Sequence, residues 1–146
     1  MRLQESNIIE ELKEFGWWVK VNFFDNEWML KKLLQTLEKT KGVIEPDFRV
    51  LEALFVLASD YPLLVSQSLL KIARAKQLDR FHFRAMNEDY IEKIVHKLYL
   101  HKDEKVVENI SKVSDQMMRL GYNKFRIYIN PGTKNINSGD DANTIL

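Results

Sequence analysis

Apolar side chains recur about every three to four residues through six consecutive stretches of this chain, and that period constrains the fold more than any other feature. Between residues 7 and 21 the recurring positions are Ile8, Leu12, Phe15 and Val19; from about residue 26 to Lys39 they are Leu30, Leu33, Leu34 and Leu37. A third stretch carries Val50, Leu51, Leu54, Phe55 and Ala58, and a fourth Leu63, Val65, Leu69, Ile72 and Ala73. The fifth shows Tyr90, Ile91, Ile94, Val95, Leu98 and Tyr99, and the sixth Val106, Val107, Ile110, Val113, Met117 and Leu120. A helix puts residues three and four apart on one face, so each stretch predicts an amphipathic helix with a stripe to bury.

The residues between the stripes predict where the helices start and stop. Asn7 with Glu10 three positions on resembles a capping box, and Asp25 or Asn26 is placed to cap the second helix, which Gly42 ends. Pro46 suits the first turn of the third helix and Asp60-Tyr61-Pro62 the start of the fourth. Asn87 is expected to cap the fifth, with Glu88 and Asp89 in its positive first turn and His101 and Lys102 at the other end. Asp103 is expected to cap the sixth and Gly121 to close it. One glycine does not fit its surroundings. Gly16 sits inside the first stripe, where it costs about 1 kcal/mol relative to alanine, which predicts that another backbone passes close by.

Six such helices with short connections make three antiparallel helical hairpins, an all-α chain. A hairpin cannot cover its own apolar face, so stacking of neighbours into an α-solenoid or right-handed superhelix is expected. A closed helical bundle uses the same elements, and periodicity leaves both open. The segment 122–129 is a short capping helix or an extended piece that seals the last hairpin. The whole of 1–129 then forms one helical-repeat domain. Residues 130–146, rich in Asn, Gly, Ser, Asp and Thr, form a flexible polar tail.

Composition narrows the function classes. The chain has 146 residues, 45% hydrophobic and 29% charged, too apolar for a disordered segment. Its formal net charge of +1 gives no global attraction to nucleic acid or anionic membrane, so such a role needs a local patch. It has no cysteine, hence no disulfide framework and no thiolate metal site. With no apolar signal core and no run long enough for a membrane span, a cytoplasmic protein is expected.

All three tryptophans fall in one aromatic run, Phe15-Gly16-Trp17-Trp18 followed by Phe23-Phe24-Asp25-Asn26-Glu27-Trp28. So much aromatic area predicts burial between the first two hairpins. Adjacent residues on an α-helix lie about 100° apart, however, so Trp17 and Trp18 cannot both enter one core. One of them is expected to face a neighbouring domain or partner, because tryptophan is enriched at interface hot spots.

The order of motifs, from Phe15-Gly16-Trp17-Trp18 and Phe24-Asp25-Asn26-Glu27-Trp28 through Val43-Ile44-Glu45-Pro46 and Tyr61-Pro62 to Leu120-Gly121-Tyr122-Asn123-Lys124-Phe125-Arg126, resembles HEAT-like helical-repeat regions. These stand at the C-terminus of large prokaryotic signalling NTPases and of defence-associated proteins with sirtuin-type or nuclease effectors. The resemblance spans Phe15 to Ile129 and implies a non-catalytic sensor or scaffold that binds another macromolecule. The chain departs from the pattern in having no effector or NTPase domain and no tryptophan-rich turn in the connector 76–86. It is therefore expected to be the C-terminal part of a longer protein or a free-standing relative.

Candidate sites divide by chemistry. For a protein partner they are Trp17, Trp18, Phe23, Phe24 and Trp28. For nucleic acid they are Arg74, Lys76, Arg80, His82 and Arg84, basic residues interleaved with Phe81 and Phe83, a mixture that pairs with phosphates and stacks on bases. No metal site is expected, since among His82, His96 and His101 only His96 has an acidic neighbour one turn away, Glu92, and a site needs three converging ligands. The carboxylate pairs Glu88-Asp89 and Asp103-Glu104 serve helix starts. With no nucleophile elbow and no glycine-rich phosphate loop, neither an enzyme nor a cofactor is expected.

Overall fold

The computed structural model describes residue 8, residues 11–75 and residues 85–129, without the side chains of Ala85 and Met86. Every regular element among them is helical: α1 (Asn26–Thr40), α2 (Asp47–Leu57), α3 (Pro62–Ala73), α4 (Ala85–Leu98) and α5 (Glu104–Arg119). One 3-10 helix, Glu14–Trp18, precedes α1 and another, Asn123–Tyr128, follows α5. None of these helices is long and apolar enough to cross a membrane. The Asn7 capping box, the connector 76–84 and the tail 130–146 lie outside the described residues.

The first expected helix is shorter and tighter than its stripe implies. Residues 11–13 are α-helical, Glu14–Trp18 wind into the 3-10 form, and Val19 is already extended. The cause is the contact that Gly16 foretells. The Glu45 backbone N–H donates to the Lys13 carbonyl, and an added Cβ on Gly16 would stand 2.6 Å from the Glu45 carbonyl oxygen. The chain then reverses at Asn22, whose φ of 65° lies in the left-handed region that asparagine tolerates.

Most helix ends fall where the sequence puts them, but two caps work differently. Asp25 occupies the N-cap position of α1 without a side-chain capping bond; the Asn26 Oδ1 instead accepts the Asn22 N–H at 2.9 Å and its amide returns a bond to Asn22 Oδ1. Asn87 does not cap α4, which starts two residues earlier at Ala85, and its side chain is buried. Asp103 does cap α5, accepting the Lys105 N–H at 2.9 Å. After α5, Gly121 turns left-handed, and the Tyr122 and Gly121 N–H groups donate back to Met117 and Met118, a Schellman closure. At the end of α1 both Lys41 and Gly42 have positive φ, 56° and 86°, and a Cβ on Gly42 would also run into the Lys71 carbonyl.

The helices pack as two rows. In one, α1 lies against α3 and α3 against α5; in the other the first 3-10 helix lies against α2 and α2 against α4. Neighbours within a row run parallel. Gly42, past the end of α1, abuts Lys71 and Ala75 at the end of α3, while Asn109 donates to Ser66 Oγ at 3.1 Å between the early halves of α5 and α3. In the other row Tyr90 meets Glu52, and Lys97 donates to the Phe55 carbonyl at 2.9 Å. Between the rows lies a core that includes Leu33, Leu37, Leu51, Leu54, Leu69, Ile94, Ile110 and Met117, all fully buried. The last 3-10 helix closes the far end with Phe125 and Tyr128 buried against α4 and α5, which settles 122–129 as the helical alternative.

Candidate interaction surface

The expectation that the N-terminal aromatic run is core is overturned. Trp17, Trp18, Phe23 and Trp28 are 55%, 57%, 59% and 46% exposed, and only Phe15 and Phe24 are partly buried against the core. The 3-10 winding explains why both adjacent tryptophans turn outward. With three residues per turn, positions three apart eclipse each other. Gly16 and Val19 therefore share the inner side and are buried; Trp17 falls in line with the exposed Glu14, and Trp18 in line with Phe15 at the margin of the core.

These side chains form one surface. Trp17, Trp18 and Phe23 line an open groove of about 550 Å³, together with Glu11, Glu14 and Lys20. Phe23 meets Phe24 edge to face at 4.8 Å between ring centroids, and Phe24 meets Trp28 at 5.5 Å, so the half-buried Phe24 ties Trp28 to the groove. A cation stands over each of three rings: Arg49 over Trp17 at 5.5 Å, Lys20 over Phe23 at 5.3 Å and Lys32 over Trp28 at 5.9 Å. At exposed sites each such pair contributes about 0.5–1 kcal/mol, enough to bias ring orientation.

Of the basic candidates, Arg74 follows directly on α3 and is exposed, lining two adjoining grooves on the α1–α3–α5 row. Lys76, Arg80, His82 and Arg84 lie outside the described residues. The histidines at the other end take local roles. His101 Nδ1 accepts the Asp103 N–H at 3.0 Å, and His96 Nδ1 lies 3.4 Å from the Tyr128 hydroxyl. Among the described residues no three His, Cys, Asp or Glu side chains converge as metal ligands.

One cluster escaped the sequence reading. Lys124, on the last 3-10 helix, pairs with Glu88 at 2.9 Å, Glu92 at 3.1 Å and Asp89 at 3.4 Å, all from the first turns of α4. Burial alone would lower the Lys124 pKa, but the Glu88 and Glu92 carboxylates outweigh it and hold the ammonium above the ordinary lysine value. Burial and then Glu92 raise the pKa of Tyr128, whose hydroxyl lies 3.4 Å from Glu92; burial and then Glu88 raise that of Tyr122. The spacing Glu88, Asp89, Glu92 marks one acidic helix face, yet nothing local in the sequence points it at Lys124. The cluster ties the last 3-10 helix to α4. No family model, curated protein or solved structure matches this chain.

Proposed function

We propose that this chain is a non-catalytic helical-repeat interaction module, its two rows a short HEAT-like right-handed solenoid of stacked hairpins, that docks a protein partner or neighbouring domain through its N-terminal aromatic surface. The observation that carries the reading is the exposure of Trp17, Trp18 and Phe23 around one groove, with the exposed Trp28 joined to it through Phe24. At about 200 Å² for a whole aromatic side chain, their exposed fractions amount to roughly 430 Å² of apolar area. A patch of about 300–600 Å² is the largest a typical monomer shows and is often functional. At about 25 cal/mol per Å², covering it contributes up to roughly 11 kcal/mol, comparable to the cost of association. The aromatic rings thus act as anchors within a larger footprint, with Arg49, Lys20 and Lys32 on the rings available to a partner's carboxylates.

The test pairs binding with stability. Proteins captured on the chain from its source cells are purified and titrated against wild type, Trp17→Ala and Trp18→Ala, with unfolding of each variant measured by circular dichroism. At least one variant is expected to lose about thirtyfold or more in affinity while retaining its unfolding midpoint, the behaviour of a hot spot. Unchanged affinity in both, or unfolding of both, refutes the reading.

A further inference from the structure

We propose that the edge formed by the C-terminal ends of α1, α3 and α5 binds the phosphodiester backbone of a nucleic acid. The surface is separate from the aromatic one and the inference does not depend on it. Because the three helices run parallel, their last turns line up along one side of the row, and each ends in a cation: Lys41 after α1, Lys71 and Arg74 at α3, Arg119 at α5. Two grooves, of about 400 and 500 Å³, run between these ends and share Arg74.

Charge is concentrated there. The two grooves are lined by five cations, the fifth being Lys112, against the carboxylates of Glu38 and Asp115, in a chain whose whole formal charge is +1. Asp115 is engaged with Arg119 at 2.9 Å, and Lys112 with Glu108 at 2.9 Å. Among the described residues Lys41, Lys71 and Arg74 have no carboxylate partner, and Lys41, Lys71 and Arg74 line one groove. Each helix C-terminus contributes about half a negative charge, which these cations offset with positive charge to spare. Helices in a row stand about 8–10 Å apart, so the cations form a linear array rather than a single pocket. A free phosphate would engage one end of such an array; a polymer with evenly repeated anions engages all of it. Single side-chain cations on phosphates position a strand without reading its bases, so the binding is expected to be indifferent to sequence.

The experiment is a fluorescence-anisotropy titration with labelled RNA and DNA of roughly 16 nucleotides, single-stranded and duplex. Counterion release by Lys41, Lys71 and Arg74 predicts that log K falls against log salt with a slope of about −2 on single strands and about −3 on duplex; binding to either form with its slope supports the proposal. Lys71→Ala/Arg74→Ala is expected to lower affinity about tenfold or more at about 50 mM salt and to flatten the slope by about 1.4 on single strands. Both residues are exposed, so circular dichroism should show an intact helix; Lys93→Ala/Lys102→Ala, also exposed, removes the same charge elsewhere. No binding at about 50 mM salt, or an equal loss in the control, overturns the proposal. So does displacement by polyglutamate as readily as by unlabelled RNA, which would mark the edge as a site for an acidic protein.

Discussion

Gly16→Ala puts the architecture of the aromatic end to a test that turns on sign. In an ordinary helical segment, replacing glycine by alanine stabilises a protein by about 0.5–1 kcal/mol. Here the new Cβ would stand 2.6 Å from the Glu45 carbonyl oxygen, 2.8 Å from its carbon and 3.0 Å from the Pro46 nitrogen. Ordinary Cβ contacts begin at 3.4 Å, so the segment around Glu45 must retreat by about 0.8 Å, and all three atoms are backbone. Overpacking of this kind costs about 1–3 kcal/mol, and loosening the bond from Glu45 to the Lys13 carbonyl adds about 0.5–1.5 kcal/mol. Less the propensity gain, a net loss of about 1–3 kcal/mol is expected. For a chain of this length that lowers the melting temperature by roughly 3–10 °C. Urea unfolding followed by circular dichroism should show a lower midpoint at unchanged slope. A midpoint that stays or rises would refute the close approach and, with it, the reason why Trp17 and Trp18 face outward.

Three further outcomes follow from local geometry. Lys124→Met should reduce stability by an amount constant from about pH 7 to about pH 10: a lysine held above its ordinary value contributes fully below the unfolded pKa of about 10.4, and the gap should shrink as alkaline titration passes it. Ser68→Ala should be neutral or stabilise by up to about 1 kcal/mol in thermal unfolding, since the Ser68 hydroxyl is buried with no hydrogen-bond partner among the described residues. Asp103→Ala should cost about 1 kcal/mol in urea unfolding through loss of the α5 cap, and Asp103→Asn should restore most of it.

The helices were legible because their stripes are long and regular: α1, α3 and α5 follow their apolar positions, and Gly16 marks a backbone contact by its place in a stripe. The aromatic end was misread where aromatic area stood for burial; the angular argument for Trp17 and Trp18, which assumed about 3.6 residues per turn, rightly kept both from one core but turned only one outward. The turn that forms has three, and the choice between the two windings is made by Glu45, some thirty residues along the chain. Asn87 misled for a related reason. Capping preference describes an exposed helix start, whereas α4 begins earlier and draws Asn87 into the interior. The basic edge is invisible to a linear reading, since Lys41, Lys71 and Arg119 become neighbours only when parallel helices align.

The two ends of the rows are unlike, and this limits how copies of the chain can associate. Head-to-tail growth into a filament needs each end to fit the other. The first end presents tryptophan and phenylalanine around an open groove, whereas the last is covered by a 3-10 helix whose large rings, Phe125 and Tyr128, are turned inward and whose lysine is held by three carboxylates. An aromatic face meeting that surface would find the Lys124 charge already paired, with Ile127 the large apolar side chain that this helix exposes. Two copies joined aromatic end to aromatic end would form an isologous pair, and such a pair closes on itself and ends growth after one step.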